Sequence, residues 1–83
     1  MYVDLLYSFI NLCKMKDDVL IKFGKKIKEL RLQKKWSQEE LAYKSDFHRT
    51  YIGMVERGER NISLKNINRF ANTFEININE LFM

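Results

Sequence analysis

Arg49 and Thr50 are the residues of this chain with the most pointed chemistry. A guanidinium can donate two parallel hydrogen bonds to guanine N7 and O6, and a threonine offers a hydroxyl to a base edge or a methyl to thymine. Met54, one helical turn beyond Thr50, is placed to brush a thymine methyl. With Gly53 and Arg57, these side chains are left facing outward once Ile52 and Val55 turn inward as an i, i+3 stripe. Tyr51 is open to three uses: packing beside a turn, stacking on a sugar-phosphate, or swinging between the two. Nothing catalytic accompanies them. There is no Ser-His-Asp or Cys-His set, no phosphate-cradling glycine loop and no carboxylate pair in an apolar pocket.

The elements that must position these residues run from Ser37 to Gly58. Ser37 and Glu40 stand three apart, a capping-box spacing in which each side chain satisfies the other residue's free amide. Ala42 is small enough for a neighbouring helix to cross closely. Asp46 falls where the chain must turn, and aspartate accepts left-handed backbone better than most residues. Phe47 plugs the turn, His48 can cap the next helix, and Gly58 ends it. A capped helix, a turn and a second helix opening with Arg-Thr describe a helix-turn-helix suited to the major groove.

On these residues the chain from about Leu20 to Phe82 resembles the XRE-type, phage-repressor-like helix-turn-helix regulators. Within that class, His48-Arg49-Thr50-Tyr51-Ile52 followed by Glu56-Arg57-Gly58-Glu59-Arg60-Asn61 is most similar to the controller proteins of restriction-modification systems. The turn departs from the class pattern, with Asp46 where glycine is usual and Ser45 where alanine or glycine is usual. Both imply an altered, slightly strained turn rather than a different fold. The resemblance implies an all-α, compact five-helix, λ-repressor-like domain. It implies that Gln38 meets a phosphate beside a helix amide end, and that Arg57, Arg60, Asn61 and Ser63 form a phosphate-binding rim, with Tyr51 joining it in its stacking use. It further implies that Arg31 and Glu56 pair across the first and third helices as a structural ion pair. The function implied is a transcriptional regulator that binds a near-palindromic double-stranded operator, controlling restriction-modification genes and its own. RNA polymerase is a further partner open to such a protein. The same fold also serves antitoxins, phage-type repressors and protein-interaction modules without DNA binding. An outward face of Arg49, Thr50, Arg57 and Arg60 argues against the last of these.

Composition agrees with a small nucleic-acid binder. The chain has 83 residues, enough for one modest core, and a net charge of +4 that biases it toward polyanions. It has no proline and three glycines, which leaves little room for a loop-rich or β-rich fold. A single cysteine, Cys13, and a single histidine, His48, supply neither an internal disulfide nor a metal site, so no cofactor and a reducing cytoplasm are expected. Residues 1–16 read as an apolar extension and 17–83 as the DNA-binding domain. The apolar run 1–14 is shorter than the about 20 residues needed to cross a bilayer, so no membrane partner is expected. It is open to three readings: an extra helix over an apolar patch, a partner or membrane-surface element, or translation from an upstream start with Met15 opening the domain.

The remaining helices follow from periodicity. Leu20, Phe23, Ile27 and Leu30 form one stripe, with Asp17 and Asp18 at the start of that helix and Lys34 and Lys35 at its end. Trp36 is expected to cover one end of the core. Ser63 caps a fourth helix that turns Leu64, Ile67, Phe70, Ala71 and Phe74 inward, and Asn77 with Glu80 opens a short fifth. Phe74, Ile76, Ile78, Leu81, Phe82 and Met83 are more apolar groups than one short helix hides. Ile76, Ile78, Leu81 and Phe82 are therefore expected to form a homodimer interface.

Overall fold

The computed structural model describes residues 19–83, and the expectations placed on residues 1–16, Asp17 and Asp18 lie outside that range. Within it the chain is all-helical. Helix α1 covers residues 19–33, followed by α2 (Gln38–Ser45), α3 (Arg49–Glu56), α4 (Leu64–Phe74) and a closing 3-10 helix (Ile78–Phe82). The fifth element is thus a 3-10 turn rather than the α-helix expected. Glu80 does reach back, its Oε2 accepting from the Asn77 amide at 2.7 Å, but its own amide donates to the Asn77 carbonyl at 3.0 Å. An i to i+3 bond of that kind tightens the turn, and five residues are too few to propagate an α-helix.

The core is one cluster drawn from all five elements: Phe23 and Ile27, Leu41 and Ala42, Ile52 and Val55, Phe70, Ala71 and Phe74, and Leu81. Phe70 is its hub, with its ring against both Phe23 and Phe47. Leu64 departs from expectation. It stands at the first position of α4 and is 73% exposed, because the stripe of Ile67, Phe70, Ala71 and Phe74 meets the core only from the second turn onward. Leu81 is 1% exposed, while Ile76 and Ile78 pack against the core. The domain therefore hides most of the C-terminal apolar groups itself. Phe82 and Met83 remain largely open, beside a groove of about 330 Å³ that they form with Val19, Lys22, Phe23, Lys26 and Leu81.

Backbone proximity sets where α1 and α3 cross. A Cβ added at Gly24 would run into the Val55 carbonyl oxygen, so only glycine lets the two backbones approach. Beside that crossing, Arg31 of α1 holds Glu56 of α3 in a two-pronged pair, Nε to Oε2 at 2.7 Å and Nη2 to Oε1 at 3.1 Å. Its Nη1 donates to the Trp36 carbonyl at 2.9 Å. The side chains are 10% and 4% exposed, so the pair expected between these residues is present and shielded from water.

All four α-helices end the same way. A residue in left-handed conformation is followed by one whose amide reaches back five positions, as in Trp36 to Arg31, Phe47 to Ala42, Glu59 to Met54 and Ile76 to Ala71. The left-handed residues are Lys35, Asp46, Gly58 and Glu75, with φ of 61°, 60°, 73° and 58°. Three of the four are not glycine. Asp46 was legible as a turn, whereas Lys35 and Glu75 carried no turn signal.

Glu56→Ala leaves the Arg31 charge buried without its acid, and breaking such a pair costs about 3–5 kcal/mol. Thermal unfolding should fall steeply, and an unchanged midpoint would show that the pair contributes nothing. Glu75→Gly acts in the opposite direction. It relieves about 1–2 kcal/mol of left-handed strain against about 0.5–1 kcal/mol of added unfolded-state freedom, a net gain of about 0.5–1 kcal/mol. A melt should show a midpoint raised by a few degrees.

Candidate nucleic-acid interface

The site begins with two capped helix starts. Ser37 Oγ accepts from the Glu40 amide at 3.0 Å, and Glu40 Oε1 accepts from the Ser37 amide at 3.2 Å, completing the expected capping box at α2. His48 Nδ1 accepts from the Thr50 amide at 3.2 Å and so caps α3. Between the helices, Asp46 takes the left-handed turn that its position predicts. Ser45 is buried, its hydroxyl donating to the Leu41 carbonyl at 2.6 Å. That bond is how a polar side chain fits at the departure noted for this turn. Arg69 of α4 closes the turn from outside, with Nη1 on the Asp46 carbonyl at 3.3 Å and its guanidinium 4.7 Å from the Phe47 ring centre.

These starts converge on a shallow cleft of about 240 Å³ lined by Gln38, Arg49, Thr50, Gly53 and Arg57. Arg49 and Thr50 are both exposed at the N-terminal end of α3. Arg49 Nε lies 3.8 Å from Glu39 Oε1, a loose pair whose side chains are 64% and 74% exposed. Gln38 is half-buried, with Nε2 donating to Glu56 Oε1 at 3.2 Å. The carboxylate that holds Arg31 therefore also orients the side chain at the start of α2. Met54 is half-buried on the same helix. Gly53 counts as buried rather than outward, because the Arg57 guanidinium lies across it.

Arg57 leans toward the loop as well. Its Nε donates to Glu59 Oε2 at 2.9 Å, and this bond, with the charge beside it, raises the Arg57 pKa above its ordinary value. The same hydrogen bond holds the Glu59 carboxyl below the usual carboxylate range. Arg60 places its guanidinium 5.8 Å from the Tyr51 ring centre. Tyr51 packs on Phe47 with centroids 4.8 Å apart, and its hydroxyl accepts from Asn66 Nδ2 at 3.0 Å. Of the three uses open to Tyr51, this structure contains packing beside the turn. Asn61 is exposed in the loop, and Ser63 Oγ caps α4 by accepting from the Asn66 amide at 3.2 Å.

Sequence reasoning missed Asn66, Arg69 and Gly24, placed Gly53 on the outward face, and met Glu59 only as a member of the family segment. The partners of Asn66, Arg69 and Gly24 lie on other helices or in backbone that only the assembled turn presents, whereas Gly53 and Glu59 both meet the Arg57 side chain close by in the chain. Of Ile76, Ile78, Leu81 and Phe82, expected at a dimer interface, only Phe82 is exposed, at 57%. Leu81 belongs to the core, since the 3-10 turn folds back onto α1 and α4. Among the described residues there is no group of three potential metal ligands, and no helix long and apolar enough to cross a membrane.

The helix-turn-helix family HTH_3 matches residues 27–81. The control protein C.BamHI of Bacillus amyloliquefaciens is 41% identical over 68 residues, 81% of this chain and 84% of that protein. The crystal structure of the restriction-modification controller protein C.AhdI from Aeromonas hydrophila superposes with a TM-score of 0.73 at 51% identity, covering 76% of this chain and 96% of that one. A third relative, the controller protein C.Esp1396I, solved as a tetramer with its natural 35 base-pair operator, gives a TM-score of 0.71 at 39% identity over 77% of this chain and 84% of its own. The capped helix pair, the turn and these likenesses agree: the chain belongs to the HTH_3 helix-turn-helix family, and within it to the restriction-modification controller proteins.

Proposed function

We propose that this chain binds a near-palindromic operator as a homodimer, sets α3 into the major groove of each half-site, and thereby controls restriction-modification genes and its own. The observation that carries this reading is the cleft at the start of α3, where Arg49, Thr50, Gln38 and Arg57 open on one side of a rigid helix pair. Arg49 and Thr50 are assigned to base edges, with Met54 against a thymine methyl. Gln38, Arg57, Arg60, Asn61 and Ser63 are assigned to phosphates, which set register without reading sequence. Tyr51 keeps the loop side of the helix in place and joins the phosphate rim by releasing its packing on Phe47. Bound beside a promoter, in the cytoplasm with its operator, the protein meets RNA polymerase as a further partner.

Arg49 and Arg57 carry the same charge but are given different work, so their variants separate sequence reading from attraction. Arg49→Ala should lose about 1–3 kcal/mol per half-site and relax preference at one base pair. Arg57→Ala should weaken all sequences about equally and lower the salt slope by about one. Selection from a randomised operator library, followed by salt titration of each variant, checks both. If Arg49→Ala enriches the wild-type site with undiminished preference everywhere, the assignment of the reading helix fails.

For the dimer, the exposed Phe82 and Met83 beside Val19 form the apolar surface that a second copy would cover. A twofold pair places its recognition helices roughly 34 Å apart, one turn of DNA. Sedimentation of the protein with and without operator should show a dimer that Phe82→Lys dissociates. A monomer under both conditions would falsify it.

A further inference from the structure

Glu59 occupies a position that the other three α-helix ends fill differently. After the left-handed residue, α1, α2 and α4 place Trp36, Phe47 and Ile76, and all three pack back against the core. Such a contact is the ordinary companion of this helix end. At the end of α3 the same position holds a carboxylate, which stays at the surface and accepts a hydrogen bond from Arg57 Nε at 2.9 Å. From the other side, a Cβ built on Gly53 would lie 3.1 Å from Arg57 Nη1 and 3.9 Å from Cζ. The guanidinium therefore lies against bare helix backbone, a place that any larger residue at 53 would crowd. Gly53 is helical, and glycine in a helix interior is otherwise destabilising. With Nε engaged by Glu59, the Nη1–Nη2 edge is the part of Arg57 left for an outside acceptor, in the cleft shared with Gln38, Arg49 and Thr50. That edge has the fork geometry that binds two oxygens of one phosphate.

We propose that Glu59 is a positioning residue for DNA binding, which together with Gly53 fixes the Arg57 guanidinium over the end of α3 in the direction needed for a backbone phosphate. This rests on the operator-binding function above. An acidic residue beside a phosphate contact is repulsive by charge alone, so charge and positioning predict opposite signs. Glu59→Ala in the otherwise native chain should weaken operator binding about 10-fold, the loss of one charge-assisted contact. In an Arg57→Ala background the same change should tighten binding, because only the repulsion is left to remove. Gly53→Ala should raise the thermal midpoint yet weaken binding when Arg57 is present, and leave affinity unchanged when it is absent.

The measurement is operator affinity of full-length protein by fluorescence anisotropy, for wild type, the two single variants, Arg57→Ala and both doubles, with a thermal melt of each. Glu59→Ala tightening binding by the same factor in both backgrounds would make Glu59 a repelling charge only and overturn the proposal. Gly53→Ala weakening binding equally with and without Arg57 would also overturn it, as a clash with DNA. Wild-type protein that fails to bind operator would instead overturn the functional reading itself.

Discussion

Glu56 accepts hydrogen bonds from two directions, and the domain is organised around that fact. Arg31 Nε and Nη2 reach it from α1, Gln38 Nε2 reaches it from the start of α2, and the backbone carrying it belongs to α3. Arg31 in turn donates its last nitrogen to the carbonyl of Trp36 in the segment between α1 and α2. A guanidinium and a carboxylate shielded from water are tolerated only when their donors and acceptors are matched, since desolvation penalises each charge alone. Here the matching runs through three helices and one connection, so the pair fixes orientation more than it adds to stability. The practical result is that the two ends of the cleft, Gln38 on α2 and Arg57 just after α3, are referenced to one buried carboxylate.

The short helices depend on their ends because their middles are so brief. Helices α2 and α3 have eight residues each, a length at which isolated helices do not persist in water. A side-chain cap at each start and a left-handed close at each end leave few unsatisfied backbone groups for so small a core to bury. The three closes built on Lys35, Asp46 and Glu75 accept strain that glycine would avoid. At Gly58 glycine is required for a second reason, because an added Cβ would also fall 2.9 Å from Ile21 Cγ1 and 3.0 Å from its Cα. That contact, with Gly24 against the Val55 carbonyl, marks where α1 lies against α3.

Local chemistry was legible in the sequence, and assembled chemistry was legible only in part. The caps of Ser37, His48 and Ser63, the turn at Asp46 and the stop at Gly58 all follow from side chains acting within four residues of themselves. The inward stripe of α4 follows from periodicity from Ile67 onward but does not extend to Leu64, because periodicity says which face a residue shares but not where the core ends. Leu81 differs for the converse reason: the 3-10 turn folds back far enough to bury it, which apolar composition alone does not reveal. Arg31 with Glu56 came from family resemblance rather than spacing, as 25 residues separate them. Gly24 has no side chain to signal its role, and Gly53, expected on the outward face, is covered by the Arg57 guanidinium, since the role of each is the space it leaves to a neighbour.

Burial also sorts the charges into two kinds. Arg31 and Glu56 are nearly closed to water and held by several bonds, and no external phosphate competes for them. Arg49, Arg57 and Arg60 lie at the surface, each resting on a weak internal substitute: Glu39 at 3.8 Å, Glu59 at 2.9 Å and the Tyr51 ring. Exposed pairs of this sort add little to stability, since water and salt screen them, and an outside acceptor can compete with them. The looser the substitute, the more freely the cation is exchanged, and of the three Arg49 has the longer ion pair, to Glu39. Arg57 is different in kind, because its carboxylate engages Nε and leaves the forked edge open. It can keep its internal partner and still take an external one, so its forked edge is oriented before any outside acceptor arrives.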